Sequence, residues 1–196
     1  MPTNTDRRRA LADAAVTVVA RDGLRGLTHR AVDAEAGVPT GTTSNYLRSR
    51  DAIVEAAAER ALDRLRGAPT ELDGGHDGGH GIDALARAID AYARACLDDV
   101  DALLAWFELR LHAARADLPA VPTMLAARHE ANVALGARRR LPGTPDEHRR
   151  LLHALDGVLL AAATGITTRA QALADVDALV RALVTAPSGR RWFGIR

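Results

Sequence analysis

The sequence predicts an all-α protein of about nine helices, four before a glycine-rich segment and five after it. Apolar residues fill 47% of the 196 positions but aromatics only 3%, so the core must be built mainly from Ala, Leu and Val. Ala and Leu favour helix, and β-branched residues rarely run together here. The apolar positions recur at spacings of three and four, the repeat of one helix face.

A first helix is expected from about Asp6 to Asp22, with Leu11, Ala14, Ala15, Val18 and Val19 inside and Gly23 as its stop. Thr28 is placed to cap a second helix running through Ala36, which Gly37 ends. Val38 plugs the turn, and a short helix from about Pro39 or Thr40 finishes near Leu47. Ser49 caps the next, with Asp51 in its first turn and Ile53, Val54, Ala57, Ala61, Leu62 and Leu65 on its inner face. Residues 67–81, GAPTELDGGHDGGHG, read as a flexible linker. Beyond it come a helix carrying Ile82, Leu85, Ala86, Ile89, Ala93 and Cys96, and one carrying Val100, Leu103, Leu104, Phe107 and Leu111. After Pro119 and Pro122 the expected helices span about 123–140, 146–167 and 175–185.

Charge and cysteine content narrow the function classes. The net charge is only +1 and every one of the 26 basic residues is Arg. Residues 1–66 hold 11 Arg against 9 acids, and Leu24–Arg50 holds four against two. That bias is mild, so any affinity for nucleic acid must depend on placement. Cys96 is the single cysteine, which excludes a disulfide framework within the chain. No apolar run approaches the roughly 18–20 residues that span a bilayer. The polar N-terminal stretch with Arg7, Arg8 and Arg9 lacks a signal-peptide core, so the cytoplasm is the expected compartment.

The stretch from Leu27 to Ile53 carries the strongest functional signal. Two very short helices about a glycine turn, followed by a longer one, match a helix-turn-helix, whose second helix enters the DNA major groove. Helical spacing turns Thr43 and Leu47 toward Val32 and Val38, leaving Thr40, Gly41, Ser44 and Asn45 outward. Asn pairs bidentately with adenine, and a glycine lets backbone approach DNA closely. Tyr46 and Arg50, with His29 and Arg30 at the first amides of the bracing helix, suit phosphate contacts. A polar surface on a small helical hairpin is the competing reading.

The segments RDG, LTHRAVDAEAGV, PTGTTSNYL and SRDAI, in this order and spacing over Arg9–Leu65, resemble the DNA-binding domain of the TetR family of transcriptional regulators. The resemblance implies a DNA-binding domain over 1–66 with three helices and a connecting fourth, and an effector-binding and dimerisation domain over 82–196. It implies phosphate or base contacts at His29, Arg30, Thr40, Gly41, Thr42, Ser44, Asn45, Tyr46 and Arg50. Two departures stand out. Pro39 occupies a position where family members often carry a capping Ser, and Ser44, Asn45 and Tyr46 replace two aromatics and a His.

The C-terminal half reads less sharply. Leu151, Leu152, Leu155, Val158, Leu159, Ala162 and Ile166 form a broad apolar stripe, with Gly157, Ala161 and Gly165 small enough for a close neighbour. A last helix presents Val176, Leu179, Val180, Leu183 and Val184. Both stripes could equally be ordinary core. The resemblance favours a two-fold homodimer through these two helices, which would read two half-sites of a double-stranded DNA operator. It also implies an effector pocket within 82–140. Candidates for its lining are Tyr92, Cys96, Trp106, Phe107, Met124, Arg128, Asn132 and His153, each with packing or a solvated edge as the alternative. An Ala/Leu/Trp-rich wall suits an apolar or amphipathic small molecule, and an inward Arg128 would favour an anionic group.

His76 and His80 with Asp73 and Asp77 could ligate a metal, but a glycine-rich linker prepares no geometry for one, and no cofactor is expected. In the tail, Trp192 and Phe193 suit covering an apolar patch. The leading expectation is a dimeric repressor released from a palindromic operator by a small molecule. Regulation without such a switch, through a protein partner, is the alternative. An enzyme is the remote one. No nucleophile elbow, zinc-helix motif or phosphate loop is visible, and Glu108/His112 and His153/Asp156 read as surface pairs at helical spacing.

Overall fold

The computed structural model describes residues 3–66, 81–138 and 141–185. Over these the chain forms nine α-helices and no strand: α1 Asn4–Gly26, α2 His29–Glu35, α3 Thr42–Tyr46, α4 Arg50–Arg66, α5 Ile82–Asp98, α6 Val100–Arg115, α7 Ala120–Arg138, α8 Pro145–Ala163 and α9 Arg169–Thr185. The all-α expectation holds. Residues 67–80, with His76, His80, Asp73 and Asp77, and the tail with Trp192 and Phe193 lie outside the described residues. Among the described residues, no helix is long and apolar enough to cross a membrane.

Contacts divide the chain into two compact units, Met1–Gly67 with Ala95–Ala127, and Ala68–Arg94 with Arg128–Arg196. Thus α6 belongs with the four N-terminal helices. In this first unit α1, α4 and α6 pack on one another. Leu11, Ala15 and Val18 from α1, Ile53, Val54, Ala57 and Ala61 from α4, and Leu103, Trp106 and Leu109 from α6 are buried. Small Ala side chains let helix backbones approach, and the large Leu and Trp fill the intervening space.

Ion pairs tie the same helices. Arg60 Nε lies 2.7 Å from Asp13 Oδ1. Arg64 grips Asp99 bidentately at 2.8 and 2.7 Å, the geometry that a guanidinium favours. Asp99 also caps α6 by accepting from the Ala102 N–H at 3.2 Å. Burial alone would raise the Asp99 pKa, but the Arg64 and Ala102 hydrogen bonds and the Arg64 charge outweigh it and hold this carboxyl below the usual range.

In the second unit α8 packs along α9. Leu85, Ala86, Leu151, Val180 and Val184 form a buried cluster, with Ile82, Ile89, Leu141, Leu179 and Leu183 against it. Thr144 and Glu147 close a reciprocal capping box at the start of α8. Arg181 on α9 reaches Asp83 on α5 at 3.0 Å.

Several helix ends differ from the expectations, each for a local reason. α1 does break at Gly23, whose φ of 68° and ψ of −178° are non-helical, but a further turn follows to Gly26. α7 starts at Ala120, before Pro122, because a proline in the first turn forfeits no intrahelical hydrogen bond. α9 starts at Arg169 and not near Asp175: Thr168 Oγ1 accepts from the Gln171 N–H while Gln171 Oε1 accepts from the Thr168 N–H. α8 stops at Ala163, with Thr164 as its C-cap and Gly165 at positive φ.

Candidate nucleic-acid interface

The helix-turn-helix is assembled by short-range capping. Thr28 Oγ1 accepts from the Ala31 N–H at 3.1 Å and starts α2. The Val38 N–H returns to the Asp33 carbonyl at 3.0 Å across Gly37, closing the turn. Ser49 Oγ accepts from the Ala52 N–H at 3.0 Å and starts α4. Thr28 and Ser49 are therefore the caps that their positions announce.

Helix α3 is only five residues long, and its N-cap is Gly41, at φ 92° with no side-chain cap of its own. Thr43 and Leu47 point inward, at 0% and 1% exposure, beside buried Val32. Thr40, Ser44 and Asn45 are exposed, while Gly41, Thr42 and Tyr46 are half-buried. Two hydroxyls fold back on the backbone: Thr42 Oγ1 donates to the Pro39 carbonyl at 2.6 Å, and Ser44 Oγ to the Gly41 carbonyl at 2.8 Å. Each retains its lone pairs for accepting. Asn45 and Thr40 complete the exposed polar groups of this face.

The residue that spacing alone missed is Asp33. It is 1% exposed, yet both of its carboxylate oxygens accept hydrogen bonds. Oδ2 accepts from the Gly41 N–H at 2.7 Å, and Oδ1 from the Thr43 N–H at 2.7 Å and the Thr43 hydroxyl at 2.6 Å. Burial pushes its pKa up, but those bonds, with a smaller contribution from His29, more than offset this, and the carboxyl titrates below its usual range. A signal was available: an acid on the inner side of a helix, a few residues before a helix lacking a capping side chain.

The expected backbone-contacting residues are variously placed. Arg30 is exposed. His29 is half-buried, and its Nε2–H donates to the Leu47 carbonyl at 2.7 Å. Arg50 is exposed but sends Nη2 to the Leu24 carbonyl at 2.7 Å. The Leu24 N–H, freed by the break at Gly23, is taken by Glu108 Oε1 on α6 at 2.7 Å. Glu108 is thus no mere surface partner of His112: it secures the backbone entering the helix-turn-helix.

The effector candidates divide between the two units. In the first, Cys96 and Trp106 are buried, and Phe107 and Met124 half-buried. Arg110 lies over both Trp106 and Phe107, 5.6 and 5.5 Å from the ring centroids. In the second, Arg128 is buried, stands 5.2 Å over the Tyr92 ring and donates to the Tyr92 hydroxyl. His153 is exposed with its ring 5.4 Å from that of His129, and Asn132 is exposed.

Among the dimer candidates, Leu151, Leu155, Leu159, Val176 and Val180 are buried within one chain. Leu179 and Leu183 pack against the same internal cluster. The first five serve packing inside the chain, whereas Leu179 and Leu183 remain only half-buried. Val158 and Ala162 are half-buried, while Leu160 and Ile166 stand 39% and 78% exposed.

No family model matches the chain. The HTH-type nicotine-responsive transcriptional repressor HdnoR of Paenarthrobacter nicotinovorans is 31% identical over 115 residues, 58% of this chain. The chain spans only 57% of that relative's length. The multidrug binding protein EbrR, solved with ethidium, is 30% identical, with 88% of this chain and 98% of that one covered at a TM-score of 0.60. A TetR family member from Streptomyces coelicolor A3 is 29% identical, with 89% and 98% covered at a TM-score of 0.62. Fold, helix-turn-helix geometry and these similarities agree: the chain belongs to the TetR family of transcriptional regulators.

Proposed function

We propose that this chain is a cytoplasmic transcriptional repressor that binds a palindromic DNA operator as a homodimer and leaves it when a small molecule binds. The observation that carries the reading is the outward set of Thr40, just before α3, and Ser44 and Asn45 on that short helix, which α2 fixes at both ends. These side chains are small and polar, so they fit a major groove and read base edges, with Asn45 matched to adenine. Arg30, Tyr46 and Arg50 flank them for phosphates. A two-fold dimer places two such helices about one helical turn, roughly 34 Å, apart. Exposed Leu160 and Ile166, with half-buried Val158 and Ala162, offer apolar surface on α8 and just beyond it for the second subunit.

Release by a ligand is supported by relatives: HdnoR is nicotine-responsive, and EbrR has been solved with ethidium and with proflavin. An apolar or amphipathic effector suits the aromatic Trp106 and Phe107 of the first unit. Effector binding would favour a conformer whose paired recognition helices no longer match successive grooves.

A mobility-shift titration tests the DNA site. Asn45→Ala should weaken binding mainly through one base position, by about 1–3 kcal/mol. Arg50→Ala should weaken binding to all sequences and lower its salt dependence. Unchanged affinity in both variants contradicts the assignment.

A further inference from the structure

We propose that His29 and Asp33, one turn apart on α2, form a two-point cradle that fixes the recognition helix from both ends and so sets its base-reading geometry. The inference rests on the reading that α3 enters a DNA groove. A helix of five residues has no intrinsic stability, because nucleation costs more than so few hydrogen bonds return. Something outside it must hold it. Residues four apart on a helix stand on one face, so α2 presents both side chains together toward α3.

The two ends are served by groups of matching polarity. At the N-terminal end, where the helix dipole is positive, Asp33 places an anion that accepts from the Gly41 and Thr43 amides and the Thr43 hydroxyl. At the C-terminal end the Leu47 carbonyl receives the His29 Nε2–H. A carbonyl only accepts, so this nitrogen must carry the proton.

This arrangement changes how α3 meets DNA. The Thr42 N–H is also engaged, by the Pro39 carbonyl at 3.1 Å. The first amides of α3 therefore point to internal acceptors, and phosphate is not held by that helix end. Recognition falls on the side chains Thr40, Ser44 and Asn45, whose placement depends on Asp33 beneath them. His29, which the family resemblance places among the DNA contacts, becomes a positioning residue.

The test uses the full chain with Asp33→Ala, Asp33→Asn and His29→Ala. Amide hydrogen exchange needs no DNA. Asp33→Ala should speed exchange at Gly41 and Thr43 at least tenfold while Val16 and Ile53 keep their protection. Operator affinity should fall about 10- to 100-fold, as expected for losing hydrogen bonds to a charged acceptor, and base preference should flatten. Asp33→Asn keeps the packing and should lose less, since one amide oxygen still accepts from Thr43. It is the variant to read where the alanine form does not fold. His29→Ala should flatten base preference, whereas loss of a phosphate contact would lower affinity uniformly across sequences. Unchanged exchange at Gly41 and Thr43 in both Asp33 variants, or operator affinity within twofold of native with intact base preference, overturns the cradle. Failure of the native chain to select any DNA would overturn the repressor reading but leave the exchange result standing, so the two failures are distinguishable.

Discussion

Removing the Glu108 carboxylate probes how α6 holds the entrance to the helix-turn-helix. Gly23 interrupts α1 at φ 68° and ψ −178°, a backbone region open essentially only to glycine. The interruption leaves the Leu24 N–H without a helical acceptor, and Glu108 Oε1 supplies one at 2.7 Å in a partly buried setting. A hydrogen bond to a charged acceptor is worth about 1.5–3 kcal/mol. For a chain of this size each kcal/mol moves Tm by about 2–4 °C, so Glu108→Ala should lower it by about 3–12 °C. Glu108→Gln keeps an acceptor oxygen and should lose roughly half as much. Gly23→Ala adds strain of about 1–3 kcal/mol, and its new Cβ would lie 3.2 Å from Glu108 Oε1. Part of that cost should vanish in the Glu108→Ala background, so the double variant should be less damaged than the sum of the singles. Thermal melts at one fixed protein concentration read the four variants against the native chain. A Glu108→Ala Tm within 1 °C of native, or strictly additive losses, would refute the reasoning.

Other outcomes follow from burial and charge. Trp106 is 2% exposed in the first unit, so Trp106→Ala should cost about 3–5 kcal/mol in a denaturant melt, and a loss under 1 kcal/mol would count against its core role. Asp33 and Asp99 titrate below the usual range when folded, so their contribution is fully present above the unfolded value of about 3.9 and disappears as pH falls through their lowered folded values. Stability from these groups should be flat between pH 7 and 5 and drop below about pH 4, and Asp33→Asn or Asp99→Asn should shrink that acid loss.

What the sequence disclosed and what it hid separate by the range of the interaction. Thr28 and Ser49 were legible as caps because an N-cap bond closes within three residues. The inward pair Thr43 and Leu47 was legible because helical spacing fixes which side chains share a face. Asp33 meets partners eight and ten residues on, across a glycine turn, and Glu108 meets Leu24 at a separation of 84. An inner-face acid ahead of an uncapped helix hints at the first pairing, but no local pattern encodes the second. The apolar stripes of α8 and α9 were visible, but periodicity does not distinguish a neighbour in the same chain from one in a second chain. Leu151, Leu155 and Val180 are buried within the one chain, which only the packing shows. α9 was expected to begin six residues late because Thr168 and Gln171 form a capping box whose reciprocal bonds the apolar pattern does not show.

Selection of bound sequences from random DNA, with the native chain and Asn45→Ala in parallel, tests the DNA-reading role of α3 most directly. The expected result is enrichment of a two-fold symmetric site with half-sites about one helical turn apart for the native chain, and loss of preference at the Asn45-read position for the variant. No enriched sequence, or the same sequence enriched equally by both chains, would contradict it.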